Sequence, residues 1–325
     1  FRSAKAPAVS LAIAIAAQIV PGGAASAQAD VQAQSVSERA RPEFGAQPLR
    51  AGGLEILPSI EVRGGYEDNV QIVPQGAVDD FLLAVRPELT VRQSRSDRLL
   101  SLSLSSGYDT YLDNTISDRL SLRASSSARL GLGTSTRFRL GAIAERNDEA
   151  RNEISSFSTG AKSIKYTSFV GNAGVDRDIG PFVAGVDVRA RSVSYDGAIL
   201  ISNQTIDVGF RDFQSYAGTG RLAYSLGSSR RVYVQATYDN RDYASLAPNP
   251  LLPPAFAFDR SSTGMRVEAG FTQQFSELLF FDARVGYLKQ DYDSPLLDDV
   301  SSLSFEGSLL WNASPLTTIE LGALR

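Results

Sequence analysis

Two residue types that carry much of protein chemistry are absent from this sequence. None of the 325 residues is cysteine or histidine, and methionine and tryptophan occur once each. Without cysteine there is no disulfide framework and no thiolate metal site. Without histidine the chain lacks the commonest general base and metal ligand. We therefore predict a protein that is not an enzyme and that uses neither a metal nor another cofactor. The net charge of −4 argues against a nucleic-acid partner.

Long apolar segments are also scarce, and the mean hydropathy of −0.11 is too low for a bundle of membrane-spanning helices. The N-terminal apolar run Ala8–Val20 is too short to cross a bilayer as a helix. It follows a short basic region and precedes Ala25-Ser26-Ala27, an A-x-A-type cleavage site. We predict a signal peptide over residues 1–27, with a buried core helix as the alternative. Residues 28–53, which are polar and show no period, are predicted to form a flexible periplasmic tail.

What the sequence has in abundance is strict alternation of apolar and polar residues. Leucine and serine alternate over Leu100–Leu104, and Phe81–Val91 opposes apolar residues to charged ones. A period of two is typical of a β-strand with one apolar and one polar face. About thirteen such segments follow one another from Leu54 onward. Several of them exceed the ordinary strand length of about 5–6 residues.

The connections between these segments alternate between short and long. Tight turns such as Ser94–Asp97 and Asp178–Pro181 are separated by long connections such as Val193–Asp212 and Asp239–Arg260. Outer-membrane barrels combine short periplasmic turns with longer extracellular loops, and a tilted strand needs about 9–11 residues to cross a bilayer. We predict an all-β fold, a transmembrane antiparallel up-and-down β-barrel over residues 54–325. The alternative is a secreted soluble β-protein with half-buried sheets.

Strand number bears on whether such a barrel is open. Bacterial single-chain barrels have even numbers of strands. The number of predicted strands, about thirteen, is odd, and the last strand stops at Leu324–Arg325 without a terminal aromatic residue. We therefore expect the barrel to be truncated at the C-terminus. The intact protein is expected to have roughly 14–16 strands. Barrels at the upper end of this range leave an aqueous channel, which favours a pore.

The segment Arg50–Val70, RAGGLEILPSIEVRGGYEDNV, carries a motif of a glycine, apolar residues, Pro-Ser and a later Tyr-(Asp/Glu)-Asp-Asn. The matching residues are Gly53, Pro58, Ser59, Tyr66, Asp68 and Asn69. In this segment the chain resembles the outer-membrane β-barrel porins of the uncharacterised "beta-barrel porin 2"-like group of Gram-negative bacteria, often found near surface-polysaccharide export genes. The resemblance implies a cell outer membrane location in contact with lipid and lipopolysaccharide, and polysaccharide export machinery as a candidate partner. It carries no catalytic residues.

The polar faces of the predicted strands carry many arginines. Those that fall near mid-strand are the pore-lining candidates Arg86, Arg123, Arg189, Arg221 and Arg284. Inward acids are expected to be fewer, so the bore is expected to be basic although the chain is acidic overall. Rings of basic residues favour anions in a pore. The alternative is that these arginines pair with lumen acids and simply fill a wet interior.

Tyrosines are placed where predicted strands meet long loops. Those expected to form an aromatic girdle are Tyr66, Tyr108, Tyr195, Tyr238 and Tyr287. Together, the features above predict a porin-like channel for passive diffusion or export of a polar solute, with an anion or a polysaccharide as candidate solutes. The alternative is a non-conducting structural or adhesive barrel that acts through its extracellular loops.

Overall fold

The computed structural model describes residues 47–70, 76–149, 163–199, 205–246, 257–314 and 316–325. The predicted signal peptide and residues 28–46 of the predicted tail lie outside these ranges. Across them, no helix is long and apolar enough to span a membrane. The strands are β1 (Leu49–Ala51), β2 (Leu54–Glu67), β3 (Asp80–Arg95), β4 (Arg98–Tyr111), β5 (Arg119–Leu130), β6 (Thr136–Asp148), β7 (Lys165–Ile179), β8 (Phe182–Tyr195), β9 (Ala198–Ile199), β10 (Thr205–Ile206), β11 (Phe213–Ser225), β12 (Arg230–Tyr243), β13 (Ser262–Ser276), β14 (Leu279–Tyr292), β15 (Val300–Ser314) and β16 (Thr317–Leu324).

The sheet follows the order of the chain. Its 14 strands pair antiparallel with their chain neighbours from β1 to β16, and β8 pairs with β11 because β9 and β10 form a separate two-stranded sheet. Every strand of the large sheet except the three-residue β1 corresponds to a predicted strand, so the all-β, up-and-down prediction is confirmed. In the described part of the chain, no ladder joins β16 to β1 or β2, and the sheet is not closed there.

The short turns between strands of the large sheet lie at one end of it. They follow β1, β3, β5, β7, β11, β13 and β15, whereas the connections after β2, β4, β6, β8, β12 and β14 are long. We call these the short-turn end and the loop end. The loop end also carries two 3₁₀ turns, Thr115–Ser117 and Gly209–Arg211. Strands such as β3, with 16 residues, are long enough to cross a bilayer when tilted.

The structure corrects the start of the sheet. Leu49–Ala51 pairs with the beginning of β2, and Leu49 lies opposite Ile56. The turn between the strands contains Gly52 and Gly53, with φ angles of 57° and 83°, a backbone region that favours glycine. The predicted boundary of the tail at residue 53 is therefore too late. A strand of three residues is too short to show a period in the sequence.

The alternation gives the sheet one apolar face, and that face is exposed. Ile60, Val62 and Leu303 expose 67%, 63% and 66% of their surface. Apolar residues face apolar residues across the strands, as Leu104 does with Leu89 and Ala124. Soluble monomers rarely expose an apolar surface of this extent, whereas lipid requires it. The apolar face is therefore the side that meets the membrane.

Glycines differ between the two faces. On the polar face, a Cβ added at Gly286 would overlap the carbonyl oxygen of Val267, and one added at Gly270 would overlap the ring of Tyr233. On the apolar face, a Cβ at Gly171 or Gly218 would meet nothing within 4 Å. Glycine on the polar face thus makes room for neighbouring chain and side chains to lie close against the wall.

This difference predicts unequal effects of Gly→Ala substitutions. Gly286→Ala should lower the free energy of unfolding by about 1–3 kcal/mol, because the backbone oxygen of Val267 cannot rotate away. Gly218→Ala, the matched control, should leave it unchanged or raise it slightly. Urea titration of the refolded protein in detergent, read by heat-modifiable gel migration, measures both. Equal losses in the two variants would contradict the steric explanation.

Candidate functional site

The polar face of the sheet contains all five arginines that the sequence singled out. Arg123 lies opposite Glu145, Arg189 opposite Asn172 and Arg284 opposite Glu306. Arg86 and Arg221 lie opposite Glu61 and Gln235 on the same face. This face is opposite to the exposed leucines. It is the candidate site because it is the surface that can be hydrated in a membrane.

Three of these arginines are held by carboxylates. Arg123 Nη1 donates to Glu145 Oε2 at 2.7 Å. Arg86 Nη2 lies 3.4 Å from Asp109 Oδ1, and its Nη1 lies 3.9 Å from Glu61 Oε1. Arg284 lies between Glu306, which accepts from its Nη2, and Glu268, whose Oε1 is 3.6 Å from its Nε. The positive charge of each is therefore offset by at least one neighbour.

Carboxylates are about as numerous as guanidinium groups on this face, so the expectation of fewer inward acids is wrong. Arg137 forms a bidentate pair with Asp178 at 2.5 and 2.7 Å. Arg139 pairs with Asp176 and, at 2.8 Å, with Asp187. Asp176 and Asp178 lie on β7, where the alternation in the sequence is weak. Their inward direction follows only from the pairing of β7 with β6 and β8.

Arg221 is held in a different way. Its guanidinium carbon lies 4.0 Å from the centroid of the Tyr233 ring, a cation–π geometry. Tyr233 donates from its hydroxyl to Asp282 Oδ1 at 3.3 Å, and Thr272 donates to Asp282 Oδ2 at 2.8 Å. The stack lies against the wall because Gly270 leaves room for the tyrosine ring.

Arg189 is the exception among the predicted arginines. It is exposed on the polar face of β8, between the uncharged Asn172 of β7 and Ala217 of β11. Within the described ranges, no carboxylate forms an ion pair with it. Arg139, which lies one row away on the same face, is by contrast paired with Asp187. The charge of Arg189 is therefore the least compensated of the five.

A second group of cations, which the sequence reasoning did not single out, lies at the loop end of β8, β11 and β12. We call Arg191, Phe213, Arg241, Tyr243 and Arg260 the loop-end cluster. The guanidinium carbons of Arg191 and Arg241 lie 5.5 and 5.4 Å from the centroid of Phe213. Arg260 lies 4.1 Å from the Tyr243 centroid, and the two rings are 5.5 Å apart. The cluster alternates cations with aromatic faces.

Loop residues support this cluster from the side. Arg211 lies 4.1 Å from the Tyr195 ring and forms a buried ion pair with Glu149. Arg260 donates to the carbonyl oxygen of Phe210, which packs on an apolar group of Ile164, Ala198 and Val208. Arg211 and Arg260 lie in connections that have no period, so no sequence pattern predicted their meeting.

The register separates the five predicted girdle tyrosines. Tyr66, Tyr108, Tyr238 and Tyr287 lie on the apolar face, and each exposes about half of its surface (57%, 46%, 56% and 51%). Tyr195 lies on the polar face, opposite Tyr166, with the ring centroids 5.8 Å apart. The prediction is wrong for Tyr195. It has the same parity as Arg189 and Arg191, a signal that was available in the sequence.

A groove of about 850 Å³ lies on the other face of the sheet. Its lining includes Leu140, Val188, Tyr216 and Tyr238, whose side chains belong to the apolar face. Asn172 and Arg189, which belong to the polar face, also line it. In the part of the chain that the structure describes, no group of three or more acidic, histidine or cysteine residues could hold a metal ion.

Comparisons with known proteins bear on the identity of the chain. The family model described as "Putative beta-barrel porin 2" matches residues 41–325. The NanC porin is 12% identical, with 78% of this chain and 100% of that chain covered and a TM-score of 0.37. The TodX monoaromatic hydrocarbon channel is 12% identical, with coverages of 83% and 81% and a TM-score of 0.39. OmpT, an outer membrane protein of Vibrio cholerae, is 9% identical, with coverages of 81% and 99% and a TM-score of 0.39.

No curated protein sequence matches the chain. The family match, by contrast, spans the whole sheet from β1 to β16. The polar and apolar faces, the single end that carries the short turns of the large sheet and this match agree with one another. The chain belongs to the beta-barrel porin 2 family and is a porin-like β-barrel of the cell outer membrane.

Proposed function

We propose that this barrel is a passive diffusion channel for small polar solutes and that it passes anions more readily than cations. The observation that carries the proposal is the position of Arg189. It is exposed on the polar face, it lies between uncharged neighbours, and no acid of the described chain pairs with it. An uncompensated cation in a pore wall raises the local concentration of anions.

The paired arginines have a different part in the proposed channel. Arg86, Arg123 and Arg284 add little net charge because carboxylates offset them, and Arg221 lies against Tyr233. Such groups keep the wall polar and hydrated without binding a permeating ion strongly. We therefore propose a weak anion preference and broad passage of neutral polar solutes, with no enzymatic step.

A second candidate is a non-conducting barrel that acts through its loops. It is favoured by the loop contacts beside the loop-end cluster, where the buried ion pair Glu149–Arg211 joins two loops. The two candidates differ in a single measurement, the conductance of the refolded barrel.

Planar-bilayer recording tests the channel and the role of Arg189. In a tenfold KCl gradient, we expect discrete conductance steps. The reversal potential should have the sign of a channel that passes chloride more readily than potassium. Arg189→Gln should lower the anion-to-cation permeability ratio about 2–5-fold, since one charge at about 7 Å in water changes the energy of an ion by about 0.6 kcal/mol. The matched control is the double variant Arg123→Gln with Glu145→Gln, which removes an ion pair and should leave the ratio unchanged.

Three results would contradict parts of the proposed function. Silence from protein that shows heat-modifiable migration would favour the non-conducting barrel. A cation preference of the native channel would refute the anion proposal. An equal change in Arg189→Gln and in the double control would show that the preference does not depend on an uncompensated Arg189.

The composition predicts the pH dependence of this preference. Between about pH 6 and pH 9 the reversal potential should be constant, because the chain has no histidine and no cysteine to titrate there. As the pH falls through about 4, carboxylates take up protons while arginines stay charged. The wall then becomes more positive and anion preference should rise. Recordings at pH 3.5 to 9 check this, and a transition near pH 6.5 or a low-pH shift toward cations would contradict it.

A further inference from the structure

The loop-end cluster holds more positive charge than its surroundings offset. Among the described acids nearby, Glu149 is paired with Arg211. Asp212 accepts from the backbone N–H of Tyr195, and Asp259 accepts from the N–H of Ser261, both at 2.8 Å. Asp259 also interacts electrostatically with the adjacent Arg260 and offsets part of its charge.

On β12, Asp239 lies on the same face as Arg241 and two residues from it, with its carboxylate over Gly264. Asp239 and Asp259 are thus two negative charges beside the three arginines of the cluster. In the described part of the chain, no ion pair joins Arg191, Arg241 or Arg260 to a carboxylate, in contrast to Arg123 of β5. The cluster therefore brings together three cations that no ion pair among the described residues neutralises, whereas Arg189 is a single such cation farther along β8.

Neighbouring cations repel one another, and a bound anion would reduce this repulsion. Burial, together with the nearby Arg211 and Arg241, lowers the pKa of Arg260, which lies in the loop before β13. The buried Nε atoms of Arg191 and Arg260 have no hydrogen-bond partner among the described residues. Guanidinium groups meet carboxylates in two parallel hydrogen bonds, so a bound carboxylate would supply both charge and acceptors.

The aromatic rings add a second element of recognition. The guanidinium groups of Arg191 and Arg241 both lie beside the ring of Phe213. A ligand seated on this ring would therefore have two cations beside it. The rings of Phe213 and Tyr243, 5.5 Å apart, also offer flat apolar surface. A ligand that suits both features has a carboxylate attached to a ring with an apolar face.

We propose that the loop-end cluster is a binding site for a small cyclic carboxylate. Arg191, Arg241 and Arg260 bind its carboxylate, and the faces of Phe213 and Tyr243 contact its ring. The proposal deepens the proposed function, on which it rests for the route by which the solute arrives. A sugar acid and an aromatic acid share this chemistry, and the choice of probes separates them.

Binding to the full-length refolded chain in detergent micelles tests the proposal by titration calorimetry. The probes are glucuronate, benzoate, glucose and acetate. At least one of the two cyclic acids should bind about tenfold or more tightly than glucose, which lacks the charge, and than acetate, which lacks the ring. Tighter binding of glucuronate would identify a sugar-acid site, and tighter binding of benzoate an aromatic-acid site.

Variants locate the site. Arg241→Gln should weaken binding of the cyclic acid about tenfold. Phe213→Leu, which keeps an apolar side chain, should weaken the cyclic acid several-fold and leave acetate unchanged. The matched control is Arg266→Gln, which removes the same charge from the polar face of β13, outside the cluster, and should not change the affinity.

Two outcomes overturn the proposal. One is acetate binding as tightly as both cyclic acids, and the other is an equal loss in Arg241→Gln and Arg266→Gln. Bilayer recording separates this result from the proposed function. If the barrel conducts ions but binds no cyclic acid, the binding site is rejected and the proposed channel stands. If it binds a cyclic acid but does not conduct, the binding site is supported and the proposed channel is rejected.

Discussion

The hydrogen-bond demand of the backbone in hydrocarbon governs this structure. No water is available there to satisfy an N–H or C=O group, so each strand must pair along its length with its neighbours. Thirteen consecutive ladders from β1·β2 to β15·β16 meet that demand in the described sheet. Once the ladders are fixed, parity along the chain decides which side chains meet lipid and which meet water. A slip by one residue would place arginines such as Arg123 in the membrane.

Parity explains both the success of sequence reasoning and its errors. Strands with strict alternation, such as β4 with its leucines and serines, could be located and oriented from the sequence. Tyr195 was misplaced because position next to a loop was used in place of parity. Asp176 and Asp178 were missed because β7 alternates weakly, so that only its pairing partners show which way they point. The short β1 has no period to detect.

The sequence predicts that the polar face carries arginines, but it does not predict which carboxylate each arginine contacts. Arg139 meets Asp176 and Asp187 from two other strands, contacts that depend on register. The loop-end cluster depends on more, because Arg260 and Arg211 come from connections whose path is set by packing around Val208 and Ile164. Ion pairs such as Arg123–Glu145, and the three arginines of the loop-end cluster that form no ion pair among the described residues, give regions of different electrostatic character.

The glycines beneath the polar side chains have a consequence for how such a wall can evolve. The side chain of Tyr233 fills the space that a Cβ at Gly270 would need, and the side chain of Asp187 does the same at Gly174. A larger residue at either glycine requires a smaller or displaced partner on the adjacent strand. These positions should therefore covary as pairs in related chains, glycine with a large residue in one and the reverse in another. The lumen of the barrel can change its charge pattern in this way while its width stays the same.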